Sequence, residues 1–560
     1  MLGIVFVADA LDALNFIMLR SALSLFCCLV SSTAVFAQPS AGEAGIPVTD
    51  PLVIAKCGAC HTVDQQGNMQ RISWERTTPE GWQEALKRMI LSDGVTLAPP
   101  EARSIVKYLS ASHGLAPEEA KPIMYDAERR IHHETNIPND HVDHACARCH
   151  NFAHALAWRR SPDEWKQLAD MHASRLKLSP DAEAIAFLSK AAPLHTHEWD
   201  AWSARTRTAN IAGRWLVTAS LVGHGNYFGE MQVDAAGDDE FSTTVRLTSV
   251  NDGSTIVRSG RSVVYGSYAW RGRSKGNPSG DSAANDVGSD AREALWISPD
   301  QSTAEGRWFW GQYQEFGFDV KLRRPSSDPT LVTLDRSSLK TGSEANRIRL
   351  IGDHFPGQVA PADLDFGSGV KVRRVVSSTS SEIVAELDVA PDATLGKRDV
   401  AFRHSVLPGA MAIYDRVDYI KIAPDSAMAA FGDQAHGRGY QQFEAVAYQR
   451  GPDGKLHTPD DVELGPVDPG SVTWSLEVFY SSPGKSTDFV GKISPSGFFT
   501  PASENPKANF DVWAVATLPR EKERPLVGKA YMVVTVPIYT LNGRQYIRDL
   551  DRWIDNGPAQ

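Results

Sequence analysis

Cys57-Gly58-Ala59-Cys60-His61 and Cys146-Ala147-Arg148-Cys149-His150 are two copies of Cys-x-x-Cys-His, the pentapeptide at which c-type haem is attached. Each residue has a chemical task in that setting. The two thiols add across the haem vinyl groups, the two-residue spacer sets their separation, and the adjacent histidine coordinates the iron as proximal ligand. A bare Cys-x-x-Cys also suits a zinc knuckle or a redox dithiol, and the histidine kept in both copies argues against these. The sequence therefore predicts two covalently bound haem c groups, attached through Cys57, Cys60, Cys146 and Cys149 and ligated by His61 and His150, in an electron carrier.

Outward from the motifs the chain repeats itself. His61 is followed by Arg71 and Arg76, then Trp82, Met89, Leu97 and an apolar run over 105–109; His150 is answered by Arg159 and Arg160, Trp165, His172, Leu178 and a run over 184–188. Prolines open the expected helices, as in Pro79-Glu80-Gly81-Trp82 and Pro99-Pro100-Glu101-Ala102, where proline fits the first helical turn. This predicts tandem cytochrome c modules joined by a segment over 115–144. A haem iron in an electron carrier takes a sixth ligand, commonly Met or His. Met89 lies seven residues after Trp82 and His172 seven after Trp165, so the expected pairs are His61/Met89 and His150/His172. Met171 competes with His172, core packing is the other reading of Met89, and Met69, His113, His132, His133, His141 and His144 are further candidates. Unequal ligation would give the Met-ligated haem the higher potential.

Only Cys27 and Cys28 lie outside the motifs, so no disulfide framework is expected. Both fall in a stretch, 19–37, with Arg20 in front, an apolar run over 22–30 and Val35-Phe36-Ala37 at its end. That is the layout of a secretory signal peptide, which places the leader at 1–37, the mature start near Gln38 and the protein in the periplasm. Asp9 and Asp12 sit where basic charge belongs, which makes Met18 an alternative start. A membrane anchor is the competing reading, although the run is short for a bilayer span. The net charge of −11 argues against nucleic acid and anionic membrane surfaces as partners.

Near residue 200 the pattern changes from helical to period-two alternation, as in Val370-Lys371-Val372-Arg373 and Lys529-Ala530-Tyr531-Met532-Val533, the signature of strands. The expected architecture is an all-α di-haem domain over 38–205, a β-barrel or sandwich over 210–325, an immunoglobulin-like β-sandwich over 328–424 and a C-terminal β-sandwich over 426–560. The glycines of 223–229 precede no helical pattern and read as turns. Asp453-Gly454 and Asp460-Asp461 miss the spacing of a calcium loop and read as an acidic turn. No nucleophile elbow, HExxH or phosphate loop occurs, so no catalytic residue is expected on this chain.

The leader, the tandem motifs with their Glu80-Gly81-Trp82 and Asp163-Glu164-Trp165 repeats, and β segments carrying Tyr268-Ala269-Trp270-Arg271-Gly272-Arg273 and Gly306-Arg307-Trp308-Phe309 together resemble the α subunit of quinohemoprotein amine dehydrogenase. The resemblance spans essentially the whole chain after the leader. It implies an αβγ heterotrimer with a seven-bladed propeller as β subunit and a small γ subunit carrying a cysteine tryptophylquinone. In that family the quinone oxidises primary amines to aldehydes and ammonia, and electrons pass to the α-subunit haems and on to azurin or a cytochrome c. This chain would then conduct electrons, with the quinone active site on another chain. A di-haem peroxidase and a free-standing di-haem protein with β binding domains are the alternatives.

Overall fold

The computed structural model describes residues 43–536 except 125–136, 148–149, 178, 206–207, 278–283, 434–435, 480–485, 504–505 and 507. The expected leader, Cys149, His132, His133 and Leu178 lie outside the described residues.

The N-terminal domain carries α1 (Pro51–Cys57), α2 (Pro79–Asp93), α3 (Pro99–Ser112), α4 (Pro117–Ala120), α5 (Asp140–Val142), α6 (Phe152–Leu156), α7 (Pro162–Leu176), α8 (Ala182–Ala191) and α9 (His197–Ser203). The long helices of the two repeats start alike. Thr78 caps α2 by accepting from the Gly81 amide at 3.2 Å, and Ser161 caps α7 by accepting from the Glu164 amide at 3.3 Å, each followed by proline. Both end on a positive φ, 72° at Gly94 and 55° at Lys177, the left-handed C-terminal turn of a helix.

The domain is not purely α. Strand β1 (Glu75–Thr77) pairs antiparallel with β2 (Trp158–Arg160), with Arg76 opposite Arg159. Counted back from Trp82 and Trp165 these arginines are equivalent positions, so the repeat is folded about a pseudo-two-fold axis through that pair. Three residues with arginine in the middle show no alternation, which is why the ladder escapes a reading of periodicity. Each tryptophan then anchors its module on the end of its second helix. Trp82 Nε1 and the Thr77 amide both donate to the His113 carbonyl (3.0 and 3.1 Å), and Trp165 Nε1 and the Arg160 amide both donate to that of Ala192 (3.1 and 3.2 Å).

The next domain is a closed eight-stranded barrel, β3 (Gly213–Leu221), β4 (Gly225–Gly237), β5 (Glu240–Ser249), β6 (Thr255–Tyr265), β7 (Ala269–Gly276), β8 (Ala291–Ile297), β9 (Thr303–Trp310) and β10 (Phe316–Arg323). Each strand pairs with the next and β10 pairs with β3, which removes the exposed edges of an open sheet. Trp215, Trp270, Trp308 and Phe318 fill its core. The β3–β4 turn takes its tightness from Gly223 and Gly225, at φ 76° and 80°, as the glycine cluster predicts.

Two four-stranded sheets follow. One holds Thr330–Leu334, Asn346–Asp353, Glu382–Val389 and Val370–Ser378, the other Ser338–Lys340, Ser405–Tyr414, Gly396–Phe402 and Leu364–Asp365, over one core with Leu350, Phe366 and Phe402. The last domain has a four-stranded sheet of Ser426–Ala430, Leu526–Thr535, Phe510–Leu518 and Thr473–Val478 and two three-stranded ones. The strand Tyr419–Ala423, placed by sequence in the 328–424 segment, pairs with Glu444–Gln449 and so belongs to the last domain. The acidic turn there is satisfied internally: Asp461 accepts from the amides of Gly451 (2.9 Å) and Thr458 (3.0 Å) and from the Tyr419 hydroxyl (2.6 Å). No helix among the described residues is long and apolar enough to cross a membrane.

The barrel is the floor of the helical domain. Val263, Tyr265, Tyr268, Ala269 and Trp296 from its strands and turns are part of the helical core. Tyr268 donates to the Leu115 carbonyl and Trp296 Nε1 to that of Pro117, each at 2.9 Å. Arg271 pairs with the buried Glu80 at the head of α2.

Candidate haem sites

The first motif closes α1. Asp50 caps the helix by accepting from the Val53 amide at 2.9 Å, and the Cys60 and His61 amides fold back on the Cys57 carbonyl at 3.2 and 2.9 Å. The chain therefore continues as a helical turn through the motif, with Cys57 and Cys60 at i and i+3 on one face. His61 Nδ1 lies 2.9 Å from the Gln70 carbonyl. A carbonyl only accepts, so Nδ1 carries the proton and Nε2 is left as the ligating nitrogen.

In the second motif α5, capped by Asn139, runs into a wide π-helical turn, Asp143–Ala147, that contains Cys146. His150 Nδ1 lies 3.0 Å from the Asn151 carbonyl, and Asn151 caps α6 by accepting from the His154 amide at 2.9 Å. The same reasoning gives His150 the same tautomer. Cys57 and Cys146 are half-buried and pack against the helical core.

Each motif offers cysteine thiols beside the helical core and a histidine whose Nδ1 is turned to a backbone carbonyl, a donor set that fits thioether attachment and axial ligation of haem c. Burial, then the charge of Cys60, pushes the Cys57 thiol up, and burial, then Asp181, raises Cys146 to about 11. Cys57, Cys60, Cys146, His61 and His150 are the described residues that would hold the two groups, with Cys149 outside the described residues.

For the sixth ligands, the structure keeps Met89 and His172 on equivalent turns of α2 and α7. Met89 is half-buried. His172 is exposed, with Nδ1 2.9 Å from the Leu168 carbonyl of its own helix, a tautomer that again leaves Nε2 for a metal. The sulfur of Met171, the competing candidate, lies 3.7 Å from Arg71 Nη1. His113 is fully buried, with Nε2 3.1 Å from the Ile46 carbonyl and Nδ1 2.8 Å from Ser112 Oγ. Burial brings its pKa down to about 4, so it is a neutral structural histidine with both ring nitrogens engaged. Met69 is fully buried, His141 lies between Asp181 (2.9 Å) and Glu183 (3.1 Å), and His144 Nδ1 is 2.6 Å from the Asp140 carbonyl.

Two buried charge clusters flank the β1–β2 ladder. On one side Arg76 grips Glu119 with both terminal nitrogens (2.8 and 3.0 Å), and Arg159 Nε (3.3 Å), Thr196 Oγ1 (2.8 Å) and the Ala116 amide (2.8 Å) complete that carboxylate. Burial alone would raise the Glu119 carboxyl, but Arg76, by hydrogen bond and charge, and then Arg159 hold it down at about 2. On the other side Arg160 pairs with Glu75, and Arg71 reaches Glu164 (3.3 Å) and Glu75 (3.6 Å). Burial and then Glu75 raise the Glu164 carboxyl to about 6. The four arginines are visible in the repeat, whereas Glu119 sits in the connecting segment, where nothing in the sequence marks it.

Family models cover the same ground in order. The chain matches "Quinohemoprotein amine dehydrogenase A, alpha subunit, haem binding" over residues 48–187, and alpha subunit domains II, III and IV of the same enzyme over 208–325, 328–415 and 420–543. The chain belongs to the quinohemoprotein amine dehydrogenase α-subunit family. Its haem-binding domain and three β-rich domains are therefore those of a subunit of a multi-subunit amine dehydrogenase, an oxidoreductase, with a role in electron transfer. No curated protein matches the chain. Among solved structures, a redesigned β barrel is similar at 14% identity and TM-score 0.18, covering 21% of this chain and 96% of that one. The mouse clustered protocadherin PcdhgC3 EC1-3 is similar at 12% identity and TM-score 0.16, covering 42% and 75%. At such TM-scores neither likeness bears on the assignment.

Proposed function

We propose that this chain is the di-haem electron-transfer subunit of a periplasmic quinohemoprotein amine dehydrogenase. In this reading it takes electrons from a cysteine tryptophylquinone on a small γ subunit, which oxidises primary amines to aldehydes and ammonia, and delivers them to azurin or a cytochrome c. A β-propeller β subunit completes the αβγ heterotrimer. The observation that carries the reading is that four domain models of the quinohemoprotein amine dehydrogenase α subunit follow one another along a chain with two Cys-x-x-Cys-His motifs.

Bound haem c would supply one-electron chemistry at iron. The chain's own residues do the rest. Cys57 and Cys60, and Cys146 with Cys149, would hold one group each through thioethers; His61 and His150 would present Nε2; Met89 and His172 would close the two coordination spheres. Val53, Leu86 and Leu109 of the helical core keep water from the module interior, and a drier surround raises the influence of each ligand on potential. The barrel gives the helical domain its bed, and the β domains would offer surface for partner subunits.

The test is native purification of the chain from the periplasm, mass analysis of co-purifying subunits and addition of a primary amine. Recovery of a propeller-sized and a small quinone-bearing partner, with haem reduced by the amine, is expected. A solitary chain inert to amines contradicts the proposal.

A further inference from the structure

The loop after the first motif ends on an unfavourable backbone conformation. Arg71 has φ 67° and ψ −54°, a γ-turn of the rare positive-φ hand, which residues other than glycine avoid. The turn is closed by the Ile72 amide donating to the Gln70 carbonyl at 2.9 Å. That carbonyl is the one that accepts the His61 Nδ1 proton, also at 2.9 Å. Something must compensate an arginine here, and its side chain is the evident source. Arg71 Nε lies 3.3 Å from Glu164 Oε2, Nη2 lies 3.6 Å from Glu75 Oε1, and Nη1 lies 3.7 Å from the Met171 sulfur. The Glu75 and Glu164 side chains are only 12% and 6% exposed, so the charge of each is screened little by water. Glu164 and Met171 stand on α7, in the other module.

We propose that Arg71 is a positioning residue: its guanidinium, held at ion-pair distance between Glu164 and Glu75, keeps the γ-turn that aims the Gln70 carbonyl at His61 Nδ1. The second module thereby sets the orientation and basicity of the first module's histidine. A hydrogen bond on the far nitrogen of a ligating imidazole fixes the ring and strengthens its donation to the metal. The position equivalent to Arg71 in the second repeat is His154, and His150 Nδ1 rests on the carbonyl of its own neighbour, Asn151. The inference rests on the reading of His61 as an iron ligand.

Arg71→Gln, Arg71→Lys and Glu164→Gln in the full-length, haem-loaded chain test it through two readouts. One is solvent exchange of the hyperfine-shifted His61 Nδ1 proton in the ferric protein, the other the midpoint potentials of the two haems. Arg71→Gln and Glu164→Gln should each speed that exchange by about tenfold, the loss of roughly one hydrogen bond. Both should move the potential of one haem and leave the other in place. Glu164→Gln keeps the side-chain shape, so its result stands if Arg71→Gln fails to fold. Arg71→Lys, a single donor in place of a fork, should restore the exchange rate only in part. Unchanged exchange in both glutamine variants, or full restoration of the potential by lysine without any change in exchange, would reduce Arg71 to a remote charge and overturn the proposal. A wild-type protein with haem but no hyperfine-shifted His61 Nδ1 proton would instead refute His61 as ligand, and both readings with it.

Discussion

In the first module His61 is steadied by a loop that doubles back to Gln70, whereas in the second His150 leans on the next residue and leads straight into α6. α3, of 14 residues, ends on the buried His113; its counterpart α8, of 10 residues, is about a turn shorter and reaches the equivalent point at Ala192. Gly81 sits where any Cβ would collide with the Thr77 side chain, while the equivalent Glu164 carries a carboxylate into the Arg71 and Glu75 cluster. The hydrogen bonds that set each tryptophan on its helix end are the same in both. Duplication has kept the backbone scaffold and diversified the side chains that face the sites. On that basis the modules should load haem alike and differ in potential.

The largest effect expected from breaking this comparison is loss of a haem. Cys57→Ala and Cys146→Ala should each remove one covalent haem and spare the other, read as intact mass; loss of both from either variant would mean that the modules do not fold separately. Next comes potential. Met89→Ala should shift one haem and His172→Ala the other in spectroelectrochemical titration, and unchanged spectra and potentials in Met89→Ala would refute that ligand.

Stability differs across the pseudo-two-fold as well. Arg76 grips Glu119 with two nitrogens and Arg159 with one, so Arg76→Ala should cost about 3–5 kcal/mol in denaturant titration, as removal of one member of a buried pair does, and Arg159→Ala less. Equal costs would contradict the asymmetry.

A pH effect comes next. The folded pKa of His113, about 4, lies below the ordinary 6.5, so unfolded chains bind a proton that the native state refuses. Stability from this group is whole above pH 6.5 and is lost as pH falls toward 4. His113→Gln should flatten that part of the profile. Glu119, held at about 2 against an ordinary 4.5, has the same sign in a lower window, between pH 4.5 and 2, and Glu119→Gln should flatten that part. The smallest effect is at the domain seam. Lys107 and Arg103 meet Glu240 at 2.8 and 3.4 Å on partly exposed side chains, and Lys107→Ala should change stability by about 1 kcal/mol or less.

Much of this molecule is legible in its sequence. Trp82 and Trp165 announce the repeat because a large ring that must be buried recurs at the same distance from a proline-led helix start. The alternation of the β region marks strands because one face of each is buried. Closure of the barrel is not legible, since it depends on Phe318 of β10 finding Leu221 of β3, 97 residues earlier in the chain, and no local pattern encodes that. Nor is the β1–β2 ladder, too short to have a period, or the role of Glu119, whose meaning comes from two arginines distant in sequence. By sequence the strand Tyr419–Ala423 reads as the end of one domain, because only its pairing partner, Glu444–Gln449, shows which sheet it joins.

The most direct measurement is the intact mass of the mature chain produced in a host able to attach haem c. The account predicts a mass increased by two haem groups that survive denaturation; a chain carrying one or none would contradict it.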